Sequence, residues 1–499
     1  MTAIVYDQAC ATERRRLRKR GKVADPDRRV FIMPEVCEGC GDCGVQSNCV
    51  AIEPKETALG RKRQINQSVC NKDVSCVKGL CPSFVTVEGG TPRRARGTGH
   101  PDALVTDETE LALPQLPEIQ DVYSMIVAGI GGNGVVTIGA ILGMAAHIEG
   151  VGVSVLDISG LAQRNGPVTS HIRLTRGETW NHAARIPEAN ADLIIGCDLV
   201  VSAGAETVSR MRKGRTHVFY NRFVAPTSAF ASNPDLDFGD QRLAAIIASK
   251  TGADALTGID ATGIALAQLG DAIGANMLLV GHAWQMGMIP LHLESLQQAI
   301  QLNGTAVELN LAAFRLGRIA ALNPSVIAAL TTEQTAKPAS TPGIADRISE
   351  RSALLSAFDG PVLAERYRAL VERACNAETV IAGAPGRFSE AVATGYFKAL
   401  YYKDEYEVAR LFSDGTLQRR LAETFDGNLR LRFNLAPPLL SRRGPDGRER
   451  KREFGAWVLP LFRVLSKLKG LRGTAFDPFG MSAHRRVERE LGDEYVRVA

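Results

Sequence analysis

The chain has 499 residues, of which 45% are hydrophobic, and its formal net charge is +5. This length exceeds what one hydrophobic core supports and predicts about two to four domains. A charge so close to neutral argues against a general nucleic-acid-binding protein, and no apolar run has the length of a membrane span or the character of a signal peptide. We therefore expect a cytoplasmic protein with no nucleic-acid partner and no membrane partner.

Two short segments are densely basic. The sequence reads RRRLRKRGK at residues 14–22 and GRERKRE at residues 447–453. Such runs usually form solvated surface, and the alternative is a site for a phosphate or an acidic partner.

The cysteines are concentrated near the start of the chain, where eight of the 10 lie within the first 81 residues. In a large chain of this kind, one local cysteine-rich segment favours metal ligation over disulfide bonds. The stretch VCEGCGDCGVQSNC places Cys37, Cys40 and Cys43 in a C-x2-C-x2-C pattern. Bacterial ferredoxins use this spacing to hold a [4Fe–4S] cluster, and the intervening glycines permit the tight turns.

A second half-motif follows in CNKDVSCVKGLCP, residues 70–82, where Asp73 stands at the middle cysteine position and Cys81 precedes a proline. In two-cluster ferredoxins the last cysteine of each half binds the other cluster. Crosswise pairing then predicts cluster one on Cys37, Cys40, Cys43 and Cys81. It predicts cluster two on Cys49, Cys70, Cys76 and Asp73.

The second site remains open at this stage. Cys49 follows Cys43 after five residues, where the ferredoxin pattern has three, and an aspartate binds iron more labilely than a cysteine. A [4Fe–4S] cluster, a three-iron cluster and no cluster are all compatible with this half. Zinc, which prefers four ligands in two pairs, fits seven cysteines poorly.

A glycine-rich loop begins the next region. We predict a strand at residues 125–130, a helix at 135–147 and a strand at 153–156, which ends at Asp157. The G-x-G-x-x-G loop contains Gly129, Gly131, Gly132 and Gly134. Such a loop is either a dinucleotide fingerprint or a tight turn without a ligand. A strand predicted at 170–174 follows directly, where a dinucleotide-binding fold would continue into a crossover helix, and we expect His171 on it to be a core histidine.

The segments GIGGNGVVTIGAIL and QRNGPVTSHIRL resemble the gamma domain of 2-oxoacid:ferredoxin oxidoreductases, and residues 274–317 resemble its C-terminal helices. The resemblance implies a Rossmann-like α/β domain that packs on a thiamine-binding part and lies near coenzyme A, without NAD. It implies that the loop glycines and Arg164 lie at that interface or near coenzyme A phosphates. The family's Arg-Gly-Gly reads Arg164-Asn165-Gly166 here, so one glycine is replaced.

Beyond a polar, proline-containing linker, residues 397–412 show apolar residues at helical spacing. The order of the pieces resembles the C-terminal half of the large fused indolepyruvate ferredoxin oxidoreductases. The fold class that this implies is multidomain α/β, with a ferredoxin-like 4Fe-4S module, a Rossmann-like gamma domain and a mainly helical C-terminal domain. The implied domains are a thiamine-domain tail and basic joint (1–30), the ferredoxin-type module (31–92), a linker (93–120), the gamma-type domain (121–325), a linker (326–345) and the accessory domain (346–499).

The resemblance also implies an activity, the oxidative decarboxylation of an arylpyruvate such as indolepyruvate to an acyl-CoA, with electrons passed to ferredoxin. The family's thiamine motif, a Gly-Asp-Gly with a downstream Asn, does not occur in this sequence. We therefore expect thiamine diphosphate and Mg²⁺ on a separate half, and an oligomeric assembly. The alternatives are a stand-alone electron-transfer adaptor and a truncated remnant without catalysis.

Overall fold

The computed structural model describes residues 5, 10–93, 111–160, 166–176, 182–226, 229–325, 343–437, 442–445, 447–480 and 483–498. The chain divides into two compact units. The first consists of Met1–Pro92, Ser228–Asp235 and Lys337–Ala499. The second consists of Arg93–Thr227 and Leu236–Ala336.

The strands are β1 (Arg28–Ile32), β2 (Ile52–Lys55), β3 (Lys62–Ile65), β4 (Phe84–Pro92), β5 (Val122–Ile130), β6 (Gly152–Ser159), β7 (Pro167–Thr175), β8 (Leu193–Gly196), β9 (His217–Asn221), β10 (Leu256–Ile259), β11 (Phe425–Leu435), β12 (Arg442–Arg443), β13 (Glu449–Arg450) and β14 (Arg452–Gly455).

The α-helices are α1 (Ala11–Lys19), α2 (Asp42–Ser47), α3 (Val135–Ile148), α4 (Leu199–Ser202), α5 (Ala205–Ser209), α6 (Ala229–Ser232), α7 (Asp240–Thr251), α8 (Ala261–Leu269), α9 (Ala275–Gln285), α10 (Leu293–Asn303), α11 (Val307–Leu322), α12 (Ile344–Asp359), α13 (Pro361–Ala382), α14 (Arg387–Leu400), α15 (Glu405–Ser413), α16 (Thr416–Thr424), α17 (Val458–Lys467) and α18 (Ala483–Val498). Short 3₁₀ helices cover Ser75–Lys78, Ala253–Ala255, Ala272–Gly274 and Leu468–Leu471. None of the described helices combines the length and the apolar character that a membrane span needs.

The first unit contains an antiparallel four-stranded sheet in the order β1-β4-β11-β14. The cysteine-rich segment contributes β1 and β4, and the separate hairpin β2-β3 lies between them in sequence. Phe31, Val85, Phe412 and Phe433 share one apolar core in this unit. Strands from the two ends of the sequence therefore form a single sheet.

The C-terminal part of this unit is mainly helical, as expected, but it also contributes β11 and β14 to the sheet, which the sequence analysis did not predict. The pattern that we predicted to be helical over residues 397–412 is divided between α14 and α15. The helix is interrupted at residues 401–404. The Asp404 side chain accepts the Glu407 N–H and caps the start of α15.

The second unit contains a six-stranded sheet in the order β10-β9-β8-β5-β7-β6. Strands β10, β9, β8 and β5 are parallel, and β7 runs antiparallel to both β5 and β6. The four elements predicted between residues 125 and 174 are present as β5, α3, β6 and β7. The prediction that a strand ends at Asp157 was wrong, because β6 continues to Ser159. His171 is buried, as expected, and its Nδ1 accepts the Ile186 N–H at 3.2 Å.

Helices α9 and α11 approach each other closely in the second unit. A Cβ atom on Gly281 would lie 2.0 Å from the Phe314 carbonyl oxygen, and one on Gly317 would lie 1.9 Å from that of Leu278. Both distances are far below van der Waals contact, so this crossing requires glycine on each helix.

Candidate metal centre

The structure brings together Cys37, Cys40, Cys43 and Cys81, which we call the first cysteine set. Cys37 lies in the turn after β1, Cys43 lies on α2 and Cys81 lies just before β4. The side chains of Cys37 and Cys81 form a hydrogen bond, and both Cys40 and Cys43 interact electrostatically with Cys81. Cys37 and Cys43 are buried, Cys81 is half-buried and Cys40 is exposed.

The Cys37 and Cys81 thiols shift each other's pKa in opposite directions. Their hydrogen bond raises the pKa of Cys37, which burial raises further, and the same bond lowers the pKa of Cys81. One thiol of the pair therefore ionises easily while the other resists ionisation. A thiolate is the form of cysteine that binds a metal.

A backbone N–H and a hydroxyl group contact two of these sulfur atoms, those of Cys37 and Cys81. The Gly39 N–H donates to Cys37 Sγ at 3.3 Å, and Cys81 Sγ lies 2.9 Å from Ser83 Oγ. Gly39 has φ +75°, and a Cβ there would lie 2.4 Å from the Arg61 carbonyl oxygen. The turn that presents this N–H to sulfur therefore needs glycine at its centre.

A second set consists of Cys49, Cys70, Cys76 and Asp73. Cys76 is buried, Cys49 and Cys70 are half-buried, and the three thiols interact electrostatically with one another. Burial is the main reason that the pKa of each of these thiols is raised. The structure thus places the remaining motif cysteines in a group of their own.

Asp73 is exposed, and its Oδ1 accepts the Ser75 N–H at 3.1 Å and lies 3.0 Å from Ser75 Oγ. Its neighbours Lys72 and Val74 have φ values of 56° and 54°. A β-branched residue in this left-handed region is strained, and such strain is found preferentially at functional sites. Asp73 therefore lies between two residues with left-handed backbone conformations, beside the second set.

The donor chemistry of both sets fits iron–sulfur clusters. Thiols dominate each set, and hydrogen bonds to sulfur are characteristic of such sites. No group of three or more His, Cys, Asp or Glu side chains in the described ranges can hold one metal ion. A [4Fe–4S] cluster does not require such convergence, because each of its cysteines binds a different iron atom.

Cations that sequence analysis missed surround the first set. The Arg63 side chain is buried, its charge interacts electrostatically with Cys43 and Cys37, and it lies 4.4 Å from the centre of the Phe230 ring. Lys403 Nζ donates to the Cys37 carbonyl at 3.1 Å, and Lys451 Nζ donates to the Cys81 carbonyl at 2.5 Å. No spacing rule connects these residues to the cysteines.

Both basic runs contact the cysteine loops, so part of each run is not solvated surface. Arg15 in the first run donates to the Val69 carbonyl at 2.8 Å, beside Cys70. In the second run, Arg448 donates to Asp42 Oδ1 at 3.0 Å, and Lys451 contacts Cys81.

The glycine loop of the second unit connects β5 to α3. A Cβ on Gly129 would lie 2.8 Å from Val135 Cγ2 and 3.0 Å from Cys197 Cβ, so this glycine is required for packing. Gly134 has φ +92° and open space around it, and the Gly131 N–H donates to the Gly166 carbonyl at 2.9 Å. Gly132 also has a positive φ, +93°. Arg164 lies outside the described residues.

The sheet order bears on the dinucleotide interpretation of this loop. Antiparallel β7 separates β5 from β6, whereas the first two strands of a dinucleotide-binding fold are neighbours. Asp157, the acidic residue of the fingerprint, pairs with Ser170 of β7 within the sheet. The strand arrangement therefore departs from that of an NAD site.

Comparison with known proteins associates two regions of the chain with families. Residues 124–320 match the model for pyruvate ferredoxin/flavodoxin oxidoreductase. Residues 344–499 match a family of unknown function, DUF6537.

The chain is similar to indolepyruvate oxidoreductase subunit IorB from two archaea. It is 30% identical to the Methanothermobacter thermautotrophicus protein over 197 residues, which cover 39% of this chain and 95% of the relative. It is 30% identical to the Pyrococcus horikoshii protein over 201 residues, which cover 39% and 94%.

Two solved structures are also similar to part of the chain. Pyruvate oxidoreductase subunit PORC from Thermotoga maritima shares 20% identity over 40% of this chain and 96% of its own, with a TM-score of 0.30. The gamma subunit of a keto/oxoacid ferredoxin oxidoreductase from Geobacter sulfurreducens shares 18% identity over 40% and 98%, with a TM-score of 0.28.

Proposed function

Since the chain belongs to the indolepyruvate ferredoxin oxidoreductase family, of which it represents a C-terminal part, we propose that it supplies the iron–sulfur and gamma-type portion of such an enzyme. The proposed reaction is the oxidative decarboxylation of an arylpyruvate, with indolepyruvate the preferred candidate, to an acyl-CoA. A thiamine-diphosphate-binding half with its Mg²⁺ would complete the site, and ferredoxin would accept the electrons.

The grouping of the cysteines is the observation that carries this proposal. Cys37, Cys40, Cys43 and Cys81 would hold a [4Fe–4S] cluster, and the second set would hold further iron. When bound, such clusters accept and donate single electrons at potentials low enough to serve ferredoxins. The element order β1-α2-β2-β3-3₁₀-β4, with β1 paired to β4, supports a ferredoxin-type module.

In this proposal the protein around the first set has two roles. Burial shields the sulfur atoms of Cys37 and Cys43 from water, and Arg63 contributes a buried positive charge. Burial and hydrogen bonding of the sulfurs are the means by which a protein sets the potential of a cluster. The half-motif that contains Asp73 would bind its cluster more weakly, because one thiolate is replaced.

The gamma-type domain is proposed to contribute a surface to the enzyme. The turn at Gly131–Gly134 lies at the carboxyl end of β5 and at the start of α3, where backbone N–H groups suit an anion such as a coenzyme A phosphate. Arg164 belongs to the same proposal by its place in the sequence, as a guanidinium that can bind a phosphate or carboxylate. We propose that the domains have the boundaries that the family resemblance implies.

Iron and acid-labile sulfide per chain, measured after anaerobic purification together with EPR spectra, test the proposal directly. About eight irons would indicate two cubane clusters, and about seven with a signal in the oxidised protein would indicate a three-iron second cluster. About four would indicate that only the first set binds a cluster. A chain that binds zinc and no iron would contradict the proposed function.

A second experiment distinguishes the enzyme from a stand-alone electron-transfer protein. The iron-replete chain would be combined with a thiamine-diphosphate-binding half of the family, and indolepyruvate-dependent reduction of ferredoxin would be followed. Cys81→Ser provides the control, because it removes a ligand of the first set. Activity that needs both parts supports the enzyme, and an iron-replete chain that never forms a complex supports the adaptor.

A further inference from the structure

A lysine of the C-terminal segment reaches the main chain of the first cysteine set. Lys451 Nζ donates to the carbonyls of Cys81 at 2.5 Å and of Val77 at 3.2 Å. It also lies 4.6 Å from the centre of the Phe84 ring. Val77 and Phe84 flank Cys81, and Phe84 begins β4. The ammonium group is therefore held beside one ligand of the proposed cluster.

Strand pairing fixes the position of this lysine. Lys451 lies between β13 and β14, and β14 pairs with β11, which pairs with β4 directly after Cys81. Arg448, three residues earlier, binds Asp42 of α2 at 3.0 Å. The lysine is thus tied to the cysteine module by a continuous sheet on one side and an ion pair on the other.

The positive charge of Lys451 interacts electrostatically with sulfur atoms of the set. Burial lowers the pKa of Lys451 to about 8, and attraction to Cys81 and Cys43 opposes that shift. Lys403, which donates to the Cys37 carbonyl, differs because its Nζ also pairs with Glu38 at 3.3 Å. Lys451 makes its hydrogen bonds to neutral carbonyl groups.

Adding an electron to an iron–sulfur cluster makes its net charge more negative. A cation held nearby, where little water can screen it, favours the reduced state and raises the reduction potential. We propose that the C-terminal segment sets the reduction potential of the cluster on the first cysteine set through the charge of Lys451. This inference rests on the proposed function and assigns a role to a region, residues 344–499, that matches a family of unknown function.

The test is an EPR-monitored redox titration of the full chain, purified anaerobically, with iron counted in every sample. Lys451→Gln removes the charge and keeps a donor for the carbonyls. We expect this variant to retain wild-type iron. Its reduction potential should lie below that of wild type by at least 59 mV, which corresponds to a tenfold change in the one-electron equilibrium. Lys451→Arg keeps the charge, and its one-electron reduction equilibrium should stay within threefold of that of wild type.

A matched variant is the control. Lys467→Gln removes an exposed lysine of the same segment and should leave the potential unchanged. Far-ultraviolet circular dichroism of each variant establishes that it is folded.

Several outcomes would overturn the inference. Full iron with an unchanged potential in Lys451→Gln would do so, and so would an equally large shift in Lys451→Arg, which would indicate geometry in place of charge. Loss of iron from Lys451→Gln would show that the lysine retains the cluster without setting its potential. Absence of iron from the wild-type chain would instead reject the proposed function itself, and the inference with it.

Discussion

Cys37 and Cys81 are hydrogen-bonded through their side chains, although one follows the first strand of the cysteine module and the other precedes its last. The contact is possible because β1 and β4 pair along their whole shared length, with Ile32 opposite Phe84. The two ends of the motif therefore meet at one end of a single strand pair.

This proximity predicts the product of oxidation. In the iron-free chain, mild peroxide should oxidise the Cys81 thiolate to a sulfenic acid, which condenses with the neighbouring Cys37 thiol to give a disulfide and water, in preference to other pairs. Non-reducing digestion and mass spectrometry would identify the bridge. The iron-replete chain is the control and should resist the reaction, and a predominant bridge to the exposed Cys40 would show that the pair is not held as described.

Asp73→Asn separates two roles of that residue. Asparagine keeps the oxygen that accepts the Ser75 N–H but loses the negative charge with which Asp73 is proposed to bind iron. We expect the variant to lose the iron of the second set and to keep the EPR signal of the first.

Ser75→Ala is the matched control, since it removes only the hydroxyl beside Asp73 Oδ1 and should keep all the iron. Wild-type iron in Asp73→Asn would show that the aspartate only stabilises the turn. Iron analysis with EPR distinguishes these results.

Gly281→Ala should destabilise the second unit, although alanine is the better helix former by about 1 kcal/mol. The new Cβ would overlap the Phe314 carbonyl oxygen, a backbone atom that no rotamer change can move. We expect the free energy of unfolding to fall by about 3 kcal/mol, because the two helices must move apart.

The thermal unfolding temperature would report this loss. Gly160→Ala serves as the control, because a Cβ there meets no atom within 4 Å, and it should leave the temperature nearly unchanged. A Gly281→Ala chain as stable as wild type would disprove the close crossing of α9 and α11.

The stability of the second unit should depend on pH through His171. Burial, with a smaller contribution from Arg210, lowers its pKa from 6.5 to about 4, and Glu206 opposes this shift. The unfolded chain therefore binds a proton that the folded chain excludes between these values. The contribution of His171 to the free energy of unfolding is fully present above pH 6.5. It is lost as the pH falls towards 4, by up to about 3 kcal/mol.

Urea unfolding from pH 7 to pH 4 would measure the effect. His171→Gln cannot take up the proton and should lose less stability over this range than wild type. His217→Gln, at an exposed position in the same sheet, should lose as much as wild type. Equal slopes for wild type and His171→Gln would refute the prediction.

Much of the second unit could be predicted from sequence. The apolar run at residues 125–130, the glycine loop and the helix after it all appear where local patterns placed them. The strand at 170–174 was also correctly predicted, although its position between β5 and β6 was not. Apolar periodicity reports on one element at a time and does not identify its neighbours.

The strand β11 shows what a local signal can and cannot provide. Its sequence LRLRFNL alternates apolar and polar residues, which is the pattern of a half-buried strand, and this signal was overlooked. Even a correct strand assignment would not have revealed that Arg432 lies opposite Thr86, more than three hundred residues away. Only the folded sheet decides that pairing.

By itself, the sequence determined which thiols form two half-motifs, because ligand spacing within a turn is a local property of the backbone. The tertiary structure alone decided that Arg63, Lys403 and Lys451 lie against the first set. The field at a site depends on burial and on distances between segments remote in sequence, and neither is written in the spacing of residues. The sequence could therefore predict a metal site on the cysteines, while the charges around them became visible only in the fold.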